Sequence, residues 1–194
     1  MISRKKKFIL ASRSPRRAHL LRQIGMNFSV RESAIDEIID ETKSPAENVK
    51  QLSLQKASAV ASHFRSGIVI GSDTIVVLGR EILGKPETKK EAVAMLHQLS
   101  GRTHTVFTGF ALVDAQSKRS FADFEKTKVT FRDLGAKEIR EYVRSGSPLD
   151  KAGAYGIQDD YGAVFVERID GCYYTVVGFP LAKFYIALQK FLLP

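Results

Sequence analysis

The chain has a single cysteine, Cys172, in 194 residues, and no tryptophan. One thiol excludes an internal disulfide framework and any multi-cysteine zinc site, and it suits a reducing cytoplasm. The four histidines, His19, His63, His97 and His104, show no metal-ligand spacing. No apolar run approaches the roughly 20 residues that a membrane helix needs. Arg4-Lys5-Lys6-Lys7 before Phe8-Ile9-Leu10-Ala11 imitates a leader peptide, but Arg13 ends its apolar part too early. Repeats, low-complexity segments and Pro/Ser-rich linkers are missing too, so a single domain over 1–194 is expected, with 1–6 as a mobile basic tail. Negative charge is in short supply: 21 Asp and Glu stand against 30 Lys and Arg, a net of +9. That excess favours anionic partners. No RNP aromatic pair, zinc finger or basic zipper is present, so neither a stable nucleic-acid complex nor a membrane is expected as partner. An apolar share of 44% with 26% charged residues argues against disorder.

What is there alternates between strands and helices. Lys7–Ala11 reads as a short buried strand, and Ser14-Pro15 caps and opens a helix to Ile24 that Gly25 stops. Asn27–Arg31 is strand-like, and Ile35–Thr42 is an acidic connector. Ser44-Pro45-Ala46-Glu47 is a capping box opening a helix to about Phe64, and Thr88-Lys89-Lys90-Glu91 is another, opening a helix to Leu99. Ile68–Leu78 is a β segment interrupted at Gly71-Ser72-Asp73-Thr74, turning through Gly79-Arg80 into Glu81–Leu83. Strands are expected at Thr103–Phe107, Phe110–Asp114 and Ser120–Phe131, a helix at Ala136–Arg144, a hairpin across Asp170-Gly171, and a closing helix from Leu181. This mixed order implies an α/β fold with antiparallel hairpins in its sheet.

Several stretches could carry chemistry. Ser12-Arg13-Ser14-Pro15-Arg16-Arg17 lies between a strand and a helix start, where free N–H groups attract anions and guanidinium forks suit phosphate oxygens. It also reads as a plain N-cap with exposed arginines. Lys56 falls on the apolar stripe marked by Val49, Leu52, Ala59 and Val60, so it either snorkels to solvent or meets an anion inside. Asp73, beside Gly71, breaks an apolar β segment as a functional carboxylate or as a turn aspartate. Gly79 to Lys85 imitates a P-loop, but Pro86 replaces the metal-binding hydroxyl and forbids a helix start, leaving Lys85 as a phosphate ligand on a rigid turn. Asp150 to Gln158 is a small-residue loop in which Gln158 can present donor and acceptor together to a base edge.

In this order, the stretches resemble the Maf family of nucleoside triphosphate pyrophosphatases. The matching residues are Ser12-x-Ser14-Pro15-Arg16-Arg17, Asp36-Glu37, Lys56, Gly71-Ser72-Asp73-Thr74, Gly84-Lys85-Pro86, Ser100-Gly101-Arg102-Thr103-His104 and Asp150-Lys151-Ala152-Gly153-Ala154-Tyr155-Gly156-Ile157-Gln158. The resemblance implies an elongated mixed α/β sheet flanked by helices around a central cleft, as in inosine triphosphate pyrophosphatases. It implies hydrolysis of a triphosphate to the monophosphate and pyrophosphate. Arg16, Thr74 and Gln158 match the dTTP/UTP-type subgroup. The family continues with glycine after this glutamine, whereas here Asp159-Asp160-Tyr161 follows.

Carboxylates beside a triphosphate repel it by about 4 kcal/mol per charge pair at 4 Å and a dielectric of 20. Asp36, Glu37 and Asp73 therefore call for a divalent ion, Mg²⁺ or Mn²⁺. The resemblance makes Asp73 the proton acceptor for the attacking water, with Ser12, Arg16, Arg17, Lys56 and Lys85 on the phosphates and Thr74 and Gln158 on the substrate side. A homodimer is compatible with this reading and not demanded by it. A nucleotide-binding regulator of cell division that leaves its ligand intact is the alternative reading of the same residues.

Overall fold

The computed structural model describes residues 6–144, 146–158 and 161–193. The run Arg4-Lys5 and the pair Asp159-Asp160 lie outside the described residues. Seven strands form one mixed sheet: β1 (Phe8–Leu10), β2 (Ser29–Val30), β3 (Ile68–Leu78), β4 (Glu81–Leu83), β5 (Thr103–Asp114), β6 (Ser120–Phe131) and β7 (Val166–Asp170). Their order is β2-β1-β3-β5-β6-β7, with β4 paired to β3. β1 runs parallel to both β2 and β3, whereas β3–β4 and β6–β7 are antiparallel. β1 is buried along its whole length, as a strand inside a parallel ladder should be.

By contacts the chain divides into two compact units. The first comprises Met1–Asp73, Thr108–Glu125 and Gly178–Pro194. It holds helices α1 (Pro15–Gln23) and α2 (Pro45–Ala61), and its core joins Ile9, Ala57, Val60, Val69, Ala111 and Val113. The second comprises Thr74–Phe107 and Lys126–Val177. It holds α3 (Lys89–Leu99), α4 (Ala136–Arg144) and the short α5 (Tyr173–Val177), around a core that includes Leu96, Leu99, Val129, Phe131, Ile139 and Phe165. The closing helix α6 (Leu181–Leu192) belongs to the first unit, where Phe184 packs edge-on against Phe110 and Phe179.

The helix starts are those the sequence specifies. Ser14 Oγ accepts from the Arg17 N–H, and Ser44 and Glu47 close a reciprocal capping box. Thr88 caps α3 through the Glu91 N–H, but the Glu91 carboxylate accepts from the Glu87 N–H, one residue ahead of the box expected there.

Three expectations are corrected. β3 is continuous through Gly71-Ser72-Asp73, because each irregular residue has a partner. A Cβ on Gly71 would lie 2.1 Å from the Ser53 carbonyl of α2, so glycine lets helix and strand touch. Ser72 Oγ donates to the Gly109 carbonyl, and Asp73 is ion-paired. β5 is likewise one strand rather than two: Gly109 is no turn but a second close approach, with its absent Cβ 2.3 Å from the Val49 carbonyl of α2. The hairpin at Asp170-Gly171 has only one strand, β7, and the residues beyond it form α5.

Candidate functional site

The site in the first unit grows from two places where sheet meets helix. The chain leaves β1 at Ala11 and turns through Ser12, which is 8% exposed. Ser12 Oγ accepts from the Ser14 N–H at 3.1 Å and from Arg17 Nη1 at 3.2 Å. Arg17 Nε donates to the Gly178 carbonyl at 3.1 Å. The guanidinium is thus anchored from two sides before any ligand arrives. Burial pushes Arg17 below its ordinary pKa; the charges of Asp73 and Glu37 oppose that, and Arg16 adds to it. Arg17 therefore lies within the field of both carboxylates. Arg13 is different: it pairs with Glu32 at 2.6 Å in the open, with side chains 79% and 44% exposed, a contact worth little.

The second place is the contact of α2 with β3. Gly71 and Gly109 seat the helix against the sheet, and Lys56, 4% exposed, points at Asp73, 5% exposed. Lys56 Nζ lies 2.6 Å from Asp73 Oδ1 and 2.8 Å from Glu37 Oε1. Of the two fates open to a lysine on an apolar stripe, Lys56 takes the buried one, and its partners are the protein's own carboxylates. Asp73 Oδ2 accepts no hydrogen bond from a described residue, so one carboxylate oxygen is fixed and the other is open. Ser12, Arg17, Glu37, Lys56 and Asp73 thus form one cluster, with Arg16 in electrostatic range of Arg17. Asp36 is exposed on the connector and forms no ion pair with Lys56. Among the described residues no group of three His, Cys, Asp or Glu is placed to hold a metal ion, so Asp36, Glu37 and Asp73 are not assembled as a cage.

The other expected residues lie in the second unit. Thr74 follows Asp73 in β3 and is half-buried, Lys85 is exposed in the turn after β4, and Gln158 is half-buried at the end of its loop. The Gly84 carbonyl accepts from the Gly153 N–H at 3.0 Å, which ties the turn carrying Lys85 to the loop carrying Gln158.

Sequence reasoning assigned no role to Lys151, although it is 7% exposed and its Nζ sits 2.8 Å from Asp150 Oδ1. A lysine embedded in a glycine-rich loop was the available signal. The Glu37–Lys56 bond was also missed, and nothing in local spacing could have found it, since it closes between a connector and a helix. Chemically, the first unit joins a ready-made anion cradle to a carboxylate with one oxygen held and one free.

Residues 7–191 match the family described as Maf-like protein. A protein of Pelotomaculum thermopropionicum named dTTP/UTP pyrophosphatase is 47% identical over 186 residues, covering 96% of this chain and 97% of that one. A protein of the same name from Geobacillus is 51% identical over 178 residues, covering 92% and 94%. Among solved structures, the Ham1 protein of Staphylococcus aureus is 16% identical with a TM-score of 0.46, covering 77% of this chain and 85% of that one.

Proposed function

The chain belongs to the Maf family, and we propose on that premise that it is a nucleoside triphosphate pyrophosphatase that hydrolyses dTTP and UTP to the monophosphate and pyrophosphate. The observation that carries this reading is the near full-length identity of 47% and 51% to relatives of that name. The first-unit cluster supports it with suitable chemistry.

In this reading Ser12, Arg16, Arg17 and Lys56 take the phosphate oxygens; Lys85 is a phosphate ligand on the family resemblance alone. Arg17 is fixed in advance by Ser12 and Gly178, so little reorganisation is needed as charge develops on the departing pyrophosphate. Asp73 Oδ2 takes a proton from water while the water oxygen bonds to the α-phosphorus. The bond from that phosphorus to the bridging oxygen breaks, and its electron pair leaves with pyrophosphate. Such a general base contributes about 10²–10⁴-fold. Lys56 fixes the orientation of Asp73 by holding Oδ1. Thr74 and Gln158 face the nucleoside; a carboxamide offers a donor and an acceptor to the O4 and N3–H edge shared by uracil and thymine.

A divalent ion belongs to the same proposal. Lys56 Nζ fills the point between Glu37 and Asp73, 2.8 Å and 2.6 Å away, so an ion would be held by the remaining carboxylate oxygens rather than between the two side chains. Mg²⁺ commonly takes one or two carboxylates and completes its shell with substrate phosphates, so no three-residue cage is required. When bound, such an ion offsets the repulsion between carboxylate and phosphate oxygens. No helix among the described residues is long and apolar enough to cross a membrane; the cytoplasm, where nucleoside triphosphates are plentiful, suits the reaction.

The test is a panel of triphosphates, including methylated and modified bases, incubated with Mg²⁺ and analysed for products. Equimolar UMP or dTMP and pyrophosphate is expected. Intact nucleotide, as a regulator would leave, or diphosphate with orthophosphate would overturn the assignment.

A further inference from the structure

In the second unit a histidine sits where an apolar residue would be cheaper. His104 is 2% exposed, edge-on to Phe131 at 5.0 Å and to Tyr155 at 5.4 Å between ring centroids. Its Nε2 lies 2.8 Å from the Tyr155 hydroxyl, and its Nδ1 has no hydrogen-bond partner among the described residues. A neutral imidazole and a phenol bring one hydrogen each to a single shared bond. Whichever tautomer is present, one buried hydrogen finds no acceptor among the described residues, which carries a cost that a pair of phenylalanines would avoid.

What the bond holds explains the choice. Tyr155 follows Ala154, which has φ +61°, and Gly153, at φ +70°. A side-chain-bearing residue in the left-handed region persists only where its surroundings force it. The Gly153 N–H is tied to the Gly84 carbonyl, and a Cβ on Gly153 would stand 3.0 Å from Val76. The Tyr155 hydroxyl on His104 is the next tie along the chain. Beyond it, buried Gly156 and Ile157 lead directly to Gln158. Only two buried residues separate the His104 bond from that carboxamide.

We propose that His104 is a positioning residue: through Tyr155 it holds the strained loop 152–158 in register and so places Gln158 against the pyrimidine base. This rests on the function proposed above.

The experiment compares His104→Phe, Tyr155→Phe, the double variant and His104→Gln, whose amide reaches the place of Nε2. Each single phenylalanine variant is expected to raise KM for dTTP and UTP about three- to tenfold, the value of one hydrogen bond, with kcat moved less than about twofold. His104→Gln restores KM. The double variant leaves no polar group unpaired and regains thermal stability, yet keeps the raised KM. A double variant that recovers both stability and KM, or a His104→Phe protein with unchanged KM, would overturn the proposal by making the pair mere packing. Amide exchange over 152–158 gives a readout that needs no turnover: about tenfold faster exchange is expected in His104→Phe, reversed in His104→Gln. Unchanged exchange contradicts the positioning role even if no triphosphate is hydrolysed, so the two readings fail separately.

Discussion

Replacing Lys56 by Met keeps the length of the side chain and removes its charge. Asp73, whose side chain is 7% exposed, then loses its ion-pair partner, whereas Glu37, 46% exposed, can turn to water. Removing one member of a buried pair costs about 3–5 kcal/mol, because the charge left behind has neither partner nor solvent. Arg17 lies in the field of Asp73 and shares the burden, so the lower end, about 3 kcal/mol, is expected. In a chain of this size that corresponds to a Tm lower by about 6–12 °C. The assay is urea unfolding of the ligand-free protein at neutral pH, read as a shift in midpoint at constant slope. Lys56→Met/Asp73→Asn should recover about 2 kcal/mol of the loss, since the orphaned charge is gone. A Lys56→Met protein within about 1 kcal/mol of wild type, or a double variant no better than the single, would refute the idea that this pair is buried and mutually dependent.

Gly71→Ala places a methyl 2.1 Å from the Ser53 carbonyl, which is backbone and cannot rotate away. The change should cost about 1–3 kcal/mol or more and, by lifting α2, cut pyrophosphate release further than stability alone explains; an unaltered kcat at a temperature where the variant is folded would contradict the seating of Lys56. Burial holds His104 at a pKa of about 4, below the ordinary 6.5, so the unfolded chain takes this proton first as pH falls. Its contribution is complete above about pH 6.5 and is lost down to about pH 4, a total of about 3 kcal/mol, and His104→Phe should flatten that limb of the stability profile. EDTA should abolish pyrophosphate release and Mg²⁺ or Mn²⁺ restore it; full activity in chelator would remove the ion from the scheme.

Features written into short stretches of chain were legible before the structure. The Ser14 and Ser44 caps need only neighbouring residues, and the misplaced charge of Lys56 shows against the 3.6-residue period of its helix. Asp73 stood out because an apolar strand rarely admits a carboxylate. Most of the failures are of longer range. Gly71 and Gly109 looked like breaks because their reason, the backbone of α2, lies elsewhere in the chain. For Lys56 the sequence leaves two fates open, solvent or a buried anion, and cannot name the anions, since its bonds to Glu37 and Asp73 span a connector, a helix and a strand. His104 shows no metal-ligand spacing, and its hydrogen-bond partner Tyr155 is 51 residues away. The residues 171–177 carry β-branched and aromatic side chains typical of a strand, yet after Gly171 they coil into α5.

The most direct trial of the account is Asp73→Asn, which preserves shape and removes the base. Titration with dTTP should give a dissociation constant within about threefold of wild type, while single-turnover release of pyrophosphate falls by about 10²-fold or more. Near-normal release by that variant would mean that the water is activated by some other group.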